Sequence, residues 1–422
     1  MNKKCQIEEE VLKIGAKAKN SSLKVSLLST KVKNQVLVEA AENIRKNKQS
    51  IIEENKKDIE EHKTNLNSAL LDRLLLDSGR IDSICEGLID ISKLEDPIGK
   101  VLGSWSRPNG LKIERVSIPL GVIGVIYESR PNVAADAAAL CLKSGNTLIL
   151  RGGKESFRSS GILVKLIKQS MKKFGLPDGT LQTIPTTDRS AVGVMLKMDQ
   201  FVDVVIPRGG RSLIERVSEE SRVHVIKHLD GICHTYIHKS SNPNISEKVV
   251  VNAKMRRPGI CGATETILCD KEILESHIPK VIKSLKELGC EVRGDNHVRK
   301  IDSLVLPATD EDWSTEYLDK IVSIKTIQKG PEEAVEHVNH FGSGHTDAII
   351  SEDSEVTEFF LNNVDSGIVM HNTSTQFADG GEFGMGAEIG ISTSKVHARG
   401  PVGVAQLTSF KYKVRGKGQV RP

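Results

Sequence analysis

Between Gly121 and Leu229 the chain alternates short, wholly apolar runs with amphipathic stretches, and that alternation leaves few folds open. Strand-like runs fall at residues 122–127, 147–150, 181–184, 202–206 and 223–226, with helix-like stretches at 134–143, 162–174, 190–198 and 212–220 between them. A strand that is apolar on both faces must be covered on both, and helices between successive strands run those strands parallel. The expectation is an open parallel α/β sheet. Such sheets take their ligands at the carboxyl ends of their strands.

A second α/β unit is expected from about Cys233. Its strand candidates are residues 234–237, 266–268, 347–350 and 367–370, and its helices 246–254, 276–288, 332–340 and 355–364. Ahead of both units, residues 5–100 read as a helical lead-in, with Val38, Ala41 and Ile44 at helical spacing. Asn109-Gly110 lies between strand-like flanks over 103–118 and predicts a hairpin. Residues 409–414 alternate well enough to add a third strand to it.

A length of 422 residues gives room for two or three domains. The net charge of +4 is spread among acidic neighbours, and no basic patch is laced with aromatics, which argues against nucleic acid as a partner. No apolar run is long enough to span a membrane. Seven cysteines, an odd number with no C-x-x-C pair, fit neither a disulfide framework nor a zinc site. A reduced, cytoplasmic protein without a metal is expected.

Two strand ends carry glycine pairs. Arg151-Gly152-Gly153-Lys154 follows one strand, and Arg208-Gly209-Gly210-Arg211 follows another directly before a helix. Glycine admits a phosphate close to the backbone, and a helix start offers unpaired N–H groups. Neither loop is a G-x-G-x-x-G or Walker motif, so plain turns remain open. If a dinucleotide binds, Arg151, Lys154 and Arg158 favour one with an extra 2′-phosphate.

The remaining chemistry lies at Lys254-Met255-Arg256-Arg257-Pro258-Gly259-Ile260-Cys261. Pro258-Gly259 ends a helix and sets Cys261 on a turn, expected to face a ligand across the cleft between the domains. Cations at Lys254, Arg256 and Arg257 would favour the thiolate, which is the nucleophilic form. The residues alone also allow a small buried cysteine and ordinary surface arginines.

As an ordered set, these stretches resemble the γ-glutamyl phosphate reductases. The set comprises Gly121 to Val133, Leu142 to Glu155, Ile206 to Gly210, Cys233 to Tyr236, the cysteine stretch, Phe383 to Glu388 and His397 to Pro401. The resemblance implies an aldehyde-dehydrogenase-like fold with an NADPH-binding domain (1–102 and 119–232), a catalytic domain (233–402) and an oligomerisation arm (103–118 and 403–422). It implies a homo-oligomer that reduces L-glutamate 5-phosphate with NADPH, a small-molecule reaction of proline biosynthesis. By resemblance Cys261 is the nucleophile and Asn132 the oxyanion asparagine, although a gapless match puts Arg130 there. Arg151, Lys154, Gly209, Gly210 and Glu382 would hold the cofactor, and Arg130, Arg256 and Arg399 the substrate phosphate.

Two departures qualify the match: the residue at 262, and a tail from Lys411 to Arg421 more basic than the resemblance leads one to expect. The family pattern has asparagine where this chain has Gly262. The Glu-Leu-Gly-Gly segment of hydrolytic aldehyde dehydrogenases is replaced by His228-Leu229-Asp230-Gly231, which favours phosphate over water as the acyl acceptor.

Overall fold

All six residues of the strand Val122–Tyr127 are buried, and the first sheet is built outward from it. This computed structural model describes residues 3–66, 68–227 and 230–421. The chain divides into two units, one formed by residues 1–227, 384–390 and 401–422, the other by 228–383 and 391–400.

The sheet of the first unit is five-stranded and parallel. Thr147–Gly152 and then Leu181–Thr183 lie on one side of Val122–Tyr127, Val204–Arg208 and His224–Val225 on the other. The chain lays down three strands in one direction and then returns to the first strand to go the other way. That reversal, between Val122–Tyr127 and Val204–Arg208, is a topological switch point, where open α/β sheets bind ligands.

The helical lead-in runs from Lys3 to Lys93 with short breaks and is fastened to this unit by buried polar contacts. Lys33 Nζ lies 2.9 Å from Asp96, and Lys143 Nζ donates to Asn34 at 2.7 Å. Asp58 accepts from the Ser159 N–H at 2.8 Å and so caps the helix Phe157–Lys173 from a distance. The expected hairpin is present as Val101–Ser106 paired antiparallel with Lys112–Pro119, and Thr408–Arg415 adds the third strand. Trp105, Phe410, Tyr412 and Val414 on it are exposed.

In the second unit seven strands run in the order Leu306–Pro307, Glu291–Gly294, Ile321–Ile327, Thr264–Asp270, Cys233–Ile237, Thr346–Ile350 and Ile368–His371. Every neighbouring pair is parallel. Ile321–Ile327 is a strand that the pattern of apolar residues did not disclose. Its polar side chains are each satisfied locally: Ser323 by the Tyr317 hydroxyl at 2.6 Å, Lys325 over the Trp313 ring, and Thr326 by Asp295. A polar residue with its own partner does not break a buried strand, but it hides one from a pattern search.

Beneath this sheet His337 is buried among the rings of Trp313, Phe341 and His234. Its Nε2 has no partner among the described residues. Burial pushes the imidazole down to about 2, so it is neutral in the fold. The unfolded chain protonates this group near the ordinary value of 6.5, so folded stability is lost as pH falls below that value. His337→Phe removes both the titration and the unsatisfied nitrogen. Thermal melts at pH 5 and pH 7 are expected to show a smaller acid-induced drop in Tm for this variant than for the parent.

Candidate active site

At the switch point the strand Val122–Tyr127 leaves the sheet through Glu128-Ser129-Arg130-Pro131. Ser129 is buried with φ at 42°, a left-handed conformation that costs a non-glycine residue about 1–3 kcal/mol. Strain of this kind gathers where geometry serves function. The Glu128 N–H donates to the Arg208 carbonyl at 3.0 Å, tying this turn to the one after Val204–Arg208.

The second turn carries Gly209 and Gly210, both exposed, with Gly210 capping the helix Arg211–Glu220. The Glu128 carboxylate accepts the Gly210 N–H at 3.0 Å. A Cβ on residue 209 would lie 2.4 Å from that carboxylate, so any larger residue there would push the Glu128 side chain off the turn. An anion therefore already rests on this helix start, and it is the protein's own.

The other glycine pair is different. A Cβ at Gly152 would lie 2.9 Å from the Tyr127 hydroxyl, so this glycine makes room for a buried ring. Arg151 is buried and donates to the carbonyls of Gly152 and Thr187 at 2.9 Å each, whereas Lys154 is exposed. At the start of the helix Asn132–Lys143, Asn132 Nδ2 donates to Asp136 at 2.9 Å. Burial raises the Asp136 carboxyl to about 6, against the pull of Asn132 and Arg208.

Cys261 belongs to the second unit. None of the seven cysteines forms a disulfide; five are buried, Cys5 is exposed and Cys261 is partly so. The helix Pro243–Met255 stops before Pro258-Gly259 as expected, and the Ala263 N–H closes a turn onto the Ile260 carbonyl at 3.0 Å. Cys261 and Gly262 are its central pair.

Two segments grip this turn, residues 231–233 and the one that carries Thr375. Gly231 lies so close that a Cβ there would be 2.1 Å from the Cys261 carbonyl oxygen. The Cys233 thiol, which burial holds in its protonated form, donates to the same oxygen at 3.0 Å. On another side a Cβ at Gly262 would lie 3.2 Å from the Thr375 carbonyl. An asparagine at 262 needs that carbonyl to give way by a few tenths of an ångström.

The expected ring of cations is only partly present. Arg256 and Arg257 are exposed on the cysteine loop, but Lys254 is fully buried and paired with Glu265. That corrects the reading of Lys254 as a cation for the thiol. Arg399 is held by Asp365 at 3.0 Å, and Glu382 is exposed on a loop whose N–H groups at Gly381 and Glu382 bond to Asp379.

His234 is buried against Asp347 at 3.0 Å, and His228 lies outside the described residues. Glu316 escaped the sequence reading altogether. Its carboxylate accepts the Gly231 N–H at 2.9 Å and so holds the segment that lies on Cys261.

Comparison with known proteins agrees with this architecture. Residues 4–299 match the model of the Aldehyde dehydrogenase family. A Gamma-glutamyl phosphate reductase of Paramagnetospirillum magneticum is 54% identical over 97% of both chains. One of Rhodospirillum rubrum is 54% identical over 98% of this chain and 96% of its own.

The crystal structure of a Gamma-glutamyl phosphate reductase from Thermotoga maritima, 39% identical, superposes with a TM-score of 0.94 over 98% of this chain and 100% of that one. An acetylating aldehyde dehydrogenase from Geobacillus thermoglucosidasius shares the fold, with a TM-score of 0.72 at 17% identity over 99% of both chains. The chain belongs to the aldehyde dehydrogenase family and, within it, to the γ-glutamyl phosphate reductases.

The grip on the Cys261 turn has a direct consequence. Gly231→Ala forces the turn outward and is expected to cost about 1–3 kcal/mol, as overpacking does. It should also slow alkylation of Cys261 by iodoacetamide while the protein is still folded, which peptide mapping with mass spectrometry reads.

Proposed function

We propose that this chain is the reductase that converts L-glutamate 5-phosphate to L-glutamate 5-semialdehyde and phosphate in the cytoplasm, a step of proline biosynthesis, through a thioester on Cys261. The observation that carries the reading is a partly exposed thiol on a turn gripped from two sides, in a chain alike over its full length to proteins of that name. The Cys261 thiolate attacks the acyl carbon of the substrate. A C–S bond forms, the C–O bond to phosphate breaks, and phosphate departs with the electron pair. Covalent catalysis divides one difficult reduction into two easier steps.

NADPH is the expected cofactor, and it supplies a hydride when bound. The exposed Gly209–Gly210 turn, the helix start behind it once the Glu128 carboxylate is displaced, and the exposed Lys154 suit its phosphates. After reduction of the thioester carbon, the C–S bond breaks, the semialdehyde leaves and the Cys261 thiolate is restored. Each tetrahedral stage carries an oxyanion. Asp136 takes one amide hydrogen of Asn132 and fixes the group, whose second hydrogen suits such a charge.

Arg130, Arg256 and Arg399 are the cations proposed for the departing phosphate, with Arg399 drawn from its Asp365 partner. Arg151 and Glu382 remain proposed cofactor residues, Arg151 from behind the loop through its hold on two carbonyls. The exposed apolar stripe of the three-stranded sheet supports assembly into a homo-oligomer. No helix among the described residues is long and apolar enough to cross a membrane.

Two measurements test this reading. Cys261→Ser should fold and bind NADPH while losing phosphate-dependent reduction of NADP by the semialdehyde; turnover at the parental rate contradicts it. Glu128→Gln removes the resident negative charge from the Gly209–Gly210 turn. It is expected to tighten NADP binding several-fold in a fluorescence titration, and unchanged affinity would place the phosphates elsewhere.

A further inference from the structure

Lys254 and Glu265 are both 0% exposed and joined Nζ to Oε2. Lys254 stands in the last turn of the helix Pro243–Met255, and Glu265 is the second residue of the strand Thr264–Asp270. The eleven-residue step between them holds the whole nucleophile turn, so their ion pair closes its neck.

The pair is also wired to the segments that grip the turn. Glu265 uses its other oxygen to accept the Leu318 N–H at 3.4 Å, where Leu318 is held at φ 54°. Lys254 Nζ lies 5.8 Å from the centre of the Tyr317 ring. The neighbouring Glu316 holds the Gly231 N–H, and Gly231 lies on the Cys261 backbone. A continuous path therefore runs from the ion pair through residues 316–318 to the nucleophile.

Stability alone is a weak reason for such a pair. Two charges taken out of water gain little over well-packed apolar residues, although losing one partner leaves the other stranded. Nor does the pair serve the thiol as a charge, because Glu265 offsets Lys254. What it offers is definition, since an ammonium and a carboxylate in direct contact fix both ends of a loop whose middle must stay put.

We infer that the Lys254–Glu265 ion pair is a positioning device for Cys261, holding the neck of the nucleophile turn so that the thiol is presented in its reactive geometry. This role rests on the proposed thioester chemistry, and neither residue touches the reacting atoms. A displacement of about 1 Å at a nucleophile can cost about 100-fold in rate.

The test uses the full chain and the double variant Lys254→Met/Glu265→Gln, which removes both charges together and strands neither. The expected result is a Tm close to that of the parent and an unchanged KM for NADPH. Both kcat and the rate of Cys261 alkylation by iodoacetamide should fall by about 100-fold. Parental rates in the folded double variant would overturn the inference.

Should the double variant fail to fold, Glu265→Asp keeps the charge and withdraws the carboxylate by one methylene. It should lower kcat and Cys261 alkylation while leaving the KM for NADPH unchanged, and parental values of both rates would again overturn the role. An unreactive Cys261 in the parent chain would instead overturn the thioester reading, and this role with it.

Discussion

The main chain of Cys261 lies directly against Gly231, where the space left would not admit a methyl group. A contact that close is possible only if residues 230–232 and the cysteine turn are both held in place, and much of the second unit's polar structure can be understood as doing so. The Cys233 thiol and the Gly231 α-carbon meet the Cys261 carbonyl, Glu316 holds the Gly231 N–H, and the Lys254–Glu265 pair closes the neck. A cysteine on a loop is free to move unless its neighbours forbid it. Here main-chain crowding and buried hydrogen bonds forbid it together.

The same economy of buried polar groups recurs in the first unit. Lys33, Lys143, Asp58 and Asn146 lie inside, each with partners, and fasten helices to the sheet. The polar atoms that stand out are those at the carboxyl end of the central strand. There Ser129 is strained and Glu128 occupies a helix start that could otherwise bind an anion. A carboxylate in that place ties the turn to the end of the central strand, and any other anion would have to displace it.

Much of this was legible in the sequence, and the physics says why. Apolar runs separated by helical stretches allow little besides a parallel sheet, and each strand expected between residues 122 and 226 is present. Asn109-Gly110 marked its hairpin, and Pro258-Gly259 ended a helix just before Cys261. What stayed hidden depends on pairing across the chain. Lys254 reads as a cation until Glu265 is seen beside it. Glu316 lies 85 residues from the glycine it holds, and Ile321–Ile327 conceals its burial behind polar residues that find partners. Gly152 and Gly209 look alike in sequence, yet one admits a tyrosine ring and the other a carboxylate.

The central claim is that Cys261 carries the glutamyl group during turnover. Incubating the protein with glutamate semialdehyde and NADP in the absence of phosphate should let the acyl-enzyme accumulate, because its acceptor is missing. Intact-mass and peptide mass spectrometry should then find one glutamyl group on the peptide containing Cys261, and added phosphate should discharge it. An unmodified Cys261 despite formation of NADPH, or an adduct on another residue, would contradict the account.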